Sequence, residues 1–257
     1  MEYFIVSLVA LLTSALTLFS GFGLGTLLLP AFLLFFPPDL SIAMTAIVHF
    51  LNNIFKLVLL GRHASISVVM RFGLPAIVAA FAGASVLFLV ANLAPLASYE
   101  AFAWQLRILP VNLLVATLMI AFAAIEILPS FQNIEFDQKY LPLGGMLSGF
   151  FGGVSGHQGA LRSAFLVRVG LSKEAFIATG VVIACLVDVT RLTVYMQHFA
   201  STGLQENIPL IIAATGSAFM GVFIGTKLLT KVTMRGIQRV VAILLVVIAL
   251  GLGSGVL

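Results

Sequence analysis

Gly152-Gly153-Val154-Ser155-Gly156-His157-Gln158-Gly159 interrupts an apolar run that extends from residue 141 to residue 170. A spanning helix needs about 20 apolar residues to cross roughly 30 Å of hydrocarbon. The run is too long for one crossing, and its arms, 141–151 and 160–170, reach only about 17 Å each at about 1.5 Å per residue. A second stretch of this kind opens the chain, where the apolar run 3–36 is broken at Gly21-Phe22-Gly23-Leu24-Gly25. Non-helical backbone at membrane depth is tolerated only inside protein or beside a wet cavity, so both breaks are expected to face something polar.

Outward from the breaks, apolar runs at about 41–60, 72–93, 108–128, 174–196, 208–227 and 239–256 are each suited to a crossing. The chain has 257 residues, of which 61% are hydrophobic and 9% charged, and its mean hydropathy is +1.19. A soluble domain carries roughly a quarter charged residues, so this chain must take lipid as its solvent. Soluble enzymes, nucleic-acid readers and secreted modules are excluded together. The net charge of +4, from 13 Lys+Arg against 9 Asp+Glu, is too small and scattered for a nucleic-acid footprint. The one cysteine, Cys185, allows neither an internal disulfide nor a paired-cysteine metal site. Met1-Glu2-Tyr3 lacks the basic region of a signal peptide, so the first apolar run is read as a retained membrane segment.

Charge sets how the broken segments lie. Arg62 and Arg71 follow one run, and Lys227, Lys231, Arg235 and Arg239 flank another connection; the positive-inside rule puts both on the cytoplasmic side. Between them lie four plain crossings and the broken segment 141–170, which must therefore cross an even number of times. A hairpin entering and leaving on one side satisfies this. Internal similarity points the same way: Asn53, Lys56 and His63 match the spacing of Asp188, Arg191 and His198 at an offset of 135. One residue of slippage aligns Pro75-Ala79-Ala80 with Pro209-Ala213-Ala214. The expected fold is an all-α polytopic membrane protein of two pseudo-symmetric, inverted repeats, each a glycine-broken helical hairpin plus three transmembrane helices. Residues 1–129 form the first repeat, 130–140 a loop and 141–257 the second. Inverted repeats meeting around discontinuous helices are a transporter architecture, with the binding site at their interface.

Ser20-Gly21-Phe22-Gly23-Leu24-Gly25 followed by Leu29-Pro30, with Gly152-Gly153-Val154-Ser155-Gly156 in the second half, resembles the TauE/SafE sulfite-exporter family over essentially the whole chain. The resemblance implies a multi-pass protein of the bacterial inner membrane that moves sulfite, sulfoacetate, other organosulfonates or related small anions. The second half departs from the family's usual glycine run, because His157-Gln158-Gly159-Ala160-Leu161-Arg162 replaces the more common glycines and proline. That departure bears on substrate and ion coupling.

Ionisable groups within hydrocarbon cost about 2.5–3.5 kcal/mol each and mark function unless they snorkel. Lys56 is read either as a snorkelling anchor or, with Asn52 and Asn53, as a polar cavity wall. Asp188 and Arg191 share one helix face and form either a self-neutralising pair or part of a pocket. Asn53 cannot neutralise Lys56, so the pocket is net positive and suits an anion. The guanidinium of Arg191 can hold a sulfonate or carboxylate with two parallel hydrogen bonds, with Lys56 as a point charge. Helix starts after each break add backbone donors. There Gly21, Gly23, Gly25 and Gly156 let an anion approach, and Ser20, Thr26 and Ser155 supply hydroxyls. Gln158 and Arg162 extend this substrate-binding set, Arg162 serving either the path or a structural partner. His157 or Asp188 would carry a coupling proton. An interhelical hydrogen bond is expected of His49 and an interfacial position of Glu126. The partners expected are a small anion and the bilayer, with no nucleic acid, cofactor or metal, and a homodimer is compatible with this reading.

No Gly-x-x-x-x-Gly-Lys-Ser/Thr loop and no His-Glu-x-x-His occurs, so any energy for transport would come from an ion gradient or a partner ATPase, and no catalytic residue is assigned. The rivals are an anion channel and a membrane enzyme resembling undecaprenyl-pyrophosphate phosphatase. The latter is suggested by Arg162-Ser163 but lacks acidic residues near the breaks.

Overall fold

The computed structural model describes residues 1–20, 24–101, 104–128, 135–199, 203–228 and 234–257. The side chains of Ser20, Glu126, His198 and residues 226–228 and 234–241 lie outside the described set, so the interfacial position expected of Glu126 does too. The described residues form α1 (Glu2–Ser20), α2 (Leu24–Leu33), α3 (Pro38–Leu60), α4 (Ile66–Ala91) and α5 (Pro110–Ile127). They continue as α6 (Leu141–Ser155), α7 (Gly159–Leu166), α8 (Lys173–Phe199), α9 (Ile208–Leu228) and α10 (Met234–Gly253). Helices α3, α4, α8 and α9 are long and apolar enough to cross a membrane. Polarity is reversed relative to a soluble protein. Val58, Val78, Ile212 and Val247 are exposed, whereas His49, Asn52, Asp188 and Arg191 are buried, as expected where lipid is the outer solvent.

Prolines start several helices: Pro38 in α3, Pro110 in α5 and Pro142 in α6 occupy the first turn, where a missing N–H costs nothing. Pro75 lies inside α4, immediately after a π-turn at Val69–Gly73. The wider turn is what a helix makes when a proline ring removes a donor from the ladder. Between α4 and α5 the chain forms a hairpin of β1 (Ala97–Ala101) and β2 (Trp104–Ile108), antiparallel with Tyr99 opposite Leu106.

Helices α6 and α7 double back. The Phe136 backbone N–H donates to the Ala164 carbonyl at 3.3 Å, Gln138 Nε2 donates to the Val169 carbonyl at 3.1 Å, and the rings of Phe136 and Phe165 stack at 4.1 Å. Arg168 and Glu135 pair at 2.6 Å at the same end. At the other broken segment Val6 and Ala10 of α1 share an apolar cluster with Leu28 and Phe32 of α2, and with Leu40, Leu204 and Leu210.

The second break is shorter than the sequence suggested. Gly152 and Gly153 were expected to interrupt the helix, but α6 runs through both to Ser155, and only Gly156, His157 and Gln158 separate it from α7. These glycines serve close packing instead. Along α6, a Cβ on Gly145, Gly149 or Gly153 would lie within 2.1–2.2 Å of the carbonyl oxygens of Phe72, Ala76 and Ala80 on α4. Small residues spaced four apart let two membrane helices touch backbone to backbone.

The helix pairings mirror one another. α6 packs on α4 as α1 packs on α9; α3 packs on α8, and α5 on α10. Helix boundaries recur at the same offset: α1 ends at Ser20 and α6 at Ser155, α2 begins at Leu24 and α7 at Gly159, α3 begins at Pro38 and α8 at Lys173.

Candidate functional site

On α3, Thr45, His49, Asn52, Asn53 and Lys56 recur at helical spacing and form one stripe. Each is at most 5% exposed. The stripe faces Asp188 and Arg191, one turn apart on α8 and both fully buried. His49 Nδ1 lies 2.7 Å from Asp188 Oδ2. A carboxylate only accepts, so Nδ1 carries the hydrogen; this is the interhelical bond expected of His49. Asn53 Nδ2 donates to the same oxygen at 3.2 Å. The other oxygen, Oδ1, accepts from Arg191 Nε at 3.0 Å and from Gln158 Nε2 at 3.4 Å. Arg191 Nη2 sits 2.8 Å from Oδ1 as a charge contact, but it points too far aside for a hydrogen bond and has no hydrogen-bond partner. Asp188 is thus ringed by donors from α3, α8 and the α6–α7 tip, the condition under which a buried charge is tolerable.

The tip itself is fixed by its glycine. Gly156 has φ of 82° and its missing Cβ would stand 2.7 Å from Arg191 Nη1, so only glycine admits both the turn and the guanidinium. The two broken segments meet here, since a Cβ on Gly25 of α2 would contact the Gly156 carbonyl oxygen at 3.6 Å and His49 at 3.9 Å. His157 stacks on Phe122 of α5 with centroids 5.1 Å apart, and its Nδ1 is 2.9 Å from Ser155 Oγ. Ser148 Oγ donates to the Gln158 carbonyl at 3.0 Å, and Tyr195 Oη donates to the Gly153 carbonyl.

Two further cations lie toward the end at which the α6–α7 hairpin begins and returns. Arg162 Nη1 donates to Gln158 Oε1 at 3.3 Å, and its Nε faces Gly180, two turns before Asp188. Lys56 is two turns beyond His49, 5% exposed, and has no hydrogen-bond or ion-pair partner among the described residues. It stands within electrostatic reach of Arg162.

The structure therefore brings together Asn53, Gln158, Asp188, Arg191, Arg162, Ser155, Gly156, His157 and Gly25. Asn52 turns to α1, where its Oδ1 accepts from Ser14 Oγ at 3.1 Å, and Thr26 is buried nearby on α2. Gly21, Gly23 and the Ser20 side chain fall outside the described residues. Ser14 and Tyr195 were not foreseen; Tyr195, one turn past Arg191 on the same face, carried the available signal.

Broken helices meeting around a sealed, charged core, inside a bundle greasy on its outside and with four helices able to span a bilayer, define a helical membrane protein with an internal polar cluster. The family of sulfite exporters TauE/SafE matches residues 6–252, and the chain belongs to that family of membrane transporters. Comparison with curated proteins and with solved structures gave no match.

Proposed function

We propose that the protein is a secondary transporter of small sulfur-containing or organic anions, sulfite and organosulfonates among them, working by alternating access across the bacterial inner membrane. The observation that carries this reading is the charge balance of the interior. Lys56, Arg162 and Arg191 are buried there against one carboxylate among the described residues, Asp188. An uncompensated buried cation is costly, and a visiting anion would relieve that cost. Asp188 already holds Arg191, so Lys56 and Arg162 supply the attraction that draws the anion in, and Arg191 meets it at the tips.

Two inverted repeats would provide the moving parts. The mirrored pairings and the boundary offset of 135 support them, as does the way each broken segment closes at its own end of the bundle. The end carrying Arg62, Arg71, Lys139, Arg168 and Lys173 is the more basic one among the described residues, whereas Arg107 stands at the other. By the positive-inside rule the first end is cytoplasmic, and Lys56 and Arg162 lie on that side of the core. Rocking of one repeat against the other would expose the tips alternately.

Uptake of labelled sulfite into proteoliposomes tests the reading. Lys56→Gln and Arg162→Gln should each slow uptake at least about tenfold at equal reconstitution, the loss of one charge contact of about 1.4 kcal/mol. Wild-type rates in both variants would remove these cations from the path.

A further inference from the structure

The α6–α7 tip leaves two buried polar atoms of opposite kind without partners, Arg191 Nη2 and His157 Nε2. Both residues flank Gly156: the guanidinium faces its missing side chain, with Nη2 3.7 Å from the Cβ position, and His157 follows it directly. His157 lies within electrostatic reach of Arg191. The hydrogen-bond chain fixes the character of the second atom. Ser155 Oγ donates its hydrogen to the Phe151 carbonyl at 3.3 Å, so it can only accept from His157, and Nδ1 must carry the imidazole hydrogen. Nε2 of the neutral ring is then a bare lone pair, 1% exposed at the residue, and across Gly156 the Arg191 Nη2 group, in charge contact with Asp188, makes no hydrogen bond. An unmet donor and an unmet acceptor on the two residues that flank Gly156 are satisfied by a ligand that offers both an anionic oxygen and a hydroxyl hydrogen.

Building on the anion-transport reading, we infer that the tip selects the hydrogen-bearing monoanion of an oxyacid, its anionic oxygen against Arg191 Nη2 and its O–H donated to His157 Nε2. Anions of equal charge that lack an O–H, such as sulfonates, leave Nε2 unpaired and bind more weakly. The physical basis is that of any site built to pair a hydroxyl, which rejects the analogue without one because a buried polar atom is left bare.

Methylphosphonate and methanesulfonate are suitable probes, since they share shape and, below the second ionisation of the phosphonate, charge. They differ by one hydroxyl hydrogen. The dissociation constants of both would be measured on the purified full chain at fixed ionic strength, across the pH range in which methylphosphonate loses that hydrogen. Other groups around His157 could impose their own pH dependence: Asp188, Arg191 and Tyr195 on α8, His49 and Lys56 on α3, and Arg162 on α7. Methanesulfonate controls for all of them, because it has nothing to lose over that range. The expected result is a preference of about tenfold for methylphosphonate at the acid end, one good hydrogen bond to a buried acceptor, that disappears as the phosphonate becomes a dianion. His157→Phe, which keeps a ring to stack on Phe122, should bring methylphosphonate to the affinity of methanesulfonate at every pH, and His157→Gln, which restores an acceptor, should recover part of the difference. Equal affinities in the wild type, or parallel pH slopes for the two probes, would overturn the inference while leaving an anion site in place. Failure of both probes and of sulfite to bind would instead strike at the transport reading itself. The wild-type series is decisive even where a variant does not fold.

Discussion

At matching positions the two halves of the chain carry different chemistry. Where α8 has Asp188 and Arg191, α3 has Asn53 and Lys56, each pair one turn apart and the two pairs separated by 135 residues. In the second half the carboxylate takes the arginine at 2.8–3.0 Å, and the tip and α3 close around it. In the first half an amide stands in the carboxylate's place, donates to the other half's Asp188, and leaves its own cation, Lys56, unpaired among the described residues. One oxygen atom in place of a nitrogen thus decides which cation is ion-paired within the protein and which, on the proposed transport reading, would attract an anion.

The largest effect should come from undoing that difference on the α8 side. Asp188→Asn removes the charge that holds Arg191 and turns one of the two oxygens into a donor, so either Arg191 and Gln158 or His49 and Asn53 lose their acceptor. Breaking a buried ion pair by removing one partner costs about 3–5 kcal/mol, because the other charge stays behind unpaired. The variant should melt far below the wild type in detergent, or fail to accumulate in the membrane. Unchanged thermal stability would mean that the ring around Asp188 does not hold the halves together.

A second change makes the first half resemble the second without touching Asp188. Asn52 precedes Lys56 by one turn and faces Ser14 on α1. Asn52→Asp keeps the acceptor for Ser14 and places a carboxylate four residues ahead of Lys56, the favourable order for a helical ion pair. Sulfite affinity, followed by ligand-induced thermal stabilisation, should fall about tenfold as the Lys56 charge is neutralised, while the unliganded protein melts no lower than the wild type. Retained affinity would show that the Lys56 field is not what attracts the anion.

Much of this architecture was legible because lipid imposes few alternatives. Apolar runs of known length marked the helices, and charges within them marked the interior, so Asp188, Arg191, Arg162, Lys56 and their amide neighbours could be assembled before any contact was known. The glycines were harder, since one residue type serves two ends. Gly156 turns the chain with positive φ, whereas Gly149 and Gly153 lie in unbroken helix against α4 carbonyls; sequence alone shows only a cluster of small residues. The β-hairpin after α4 escaped because its alternation is brief and follows a long apolar helix. The partners of Asp188 were also illegible, as they depend on how α3, α8 and the tip face one another rather than on spacing along any one of them.

The smallest predicted effect concerns the outer end of the same comparison. Tyr195 occupies in α8 the position that Leu60 occupies in α3. Its hydroxyl donates to the Gly153 carbonyl, tying α8 to α6 just before the tip, and the residue is 2% exposed. Leucine has no donor, so the first half lacks this tie. Tyr195→Phe keeps the ring and removes the hydroxyl with its bond to the Gly153 carbonyl, which should cost about 0.5–1.5 kcal/mol. The hydroxyl also lies against the Arg191 side chain, but it is neutral and leaves no buried charge behind, so the loss should be well below that of Asp188→Asn and should appear as a modest drop in melting temperature. Gly153 precedes the tip by three residues, and its release should loosen the α6–α7 break more than the lipid-facing helices. Hydrogen exchange of the 152–159 amides should therefore quicken in the variant while that of α9 does not. Uniform acceleration across both would mean that the bond supports the whole bundle and not the tip.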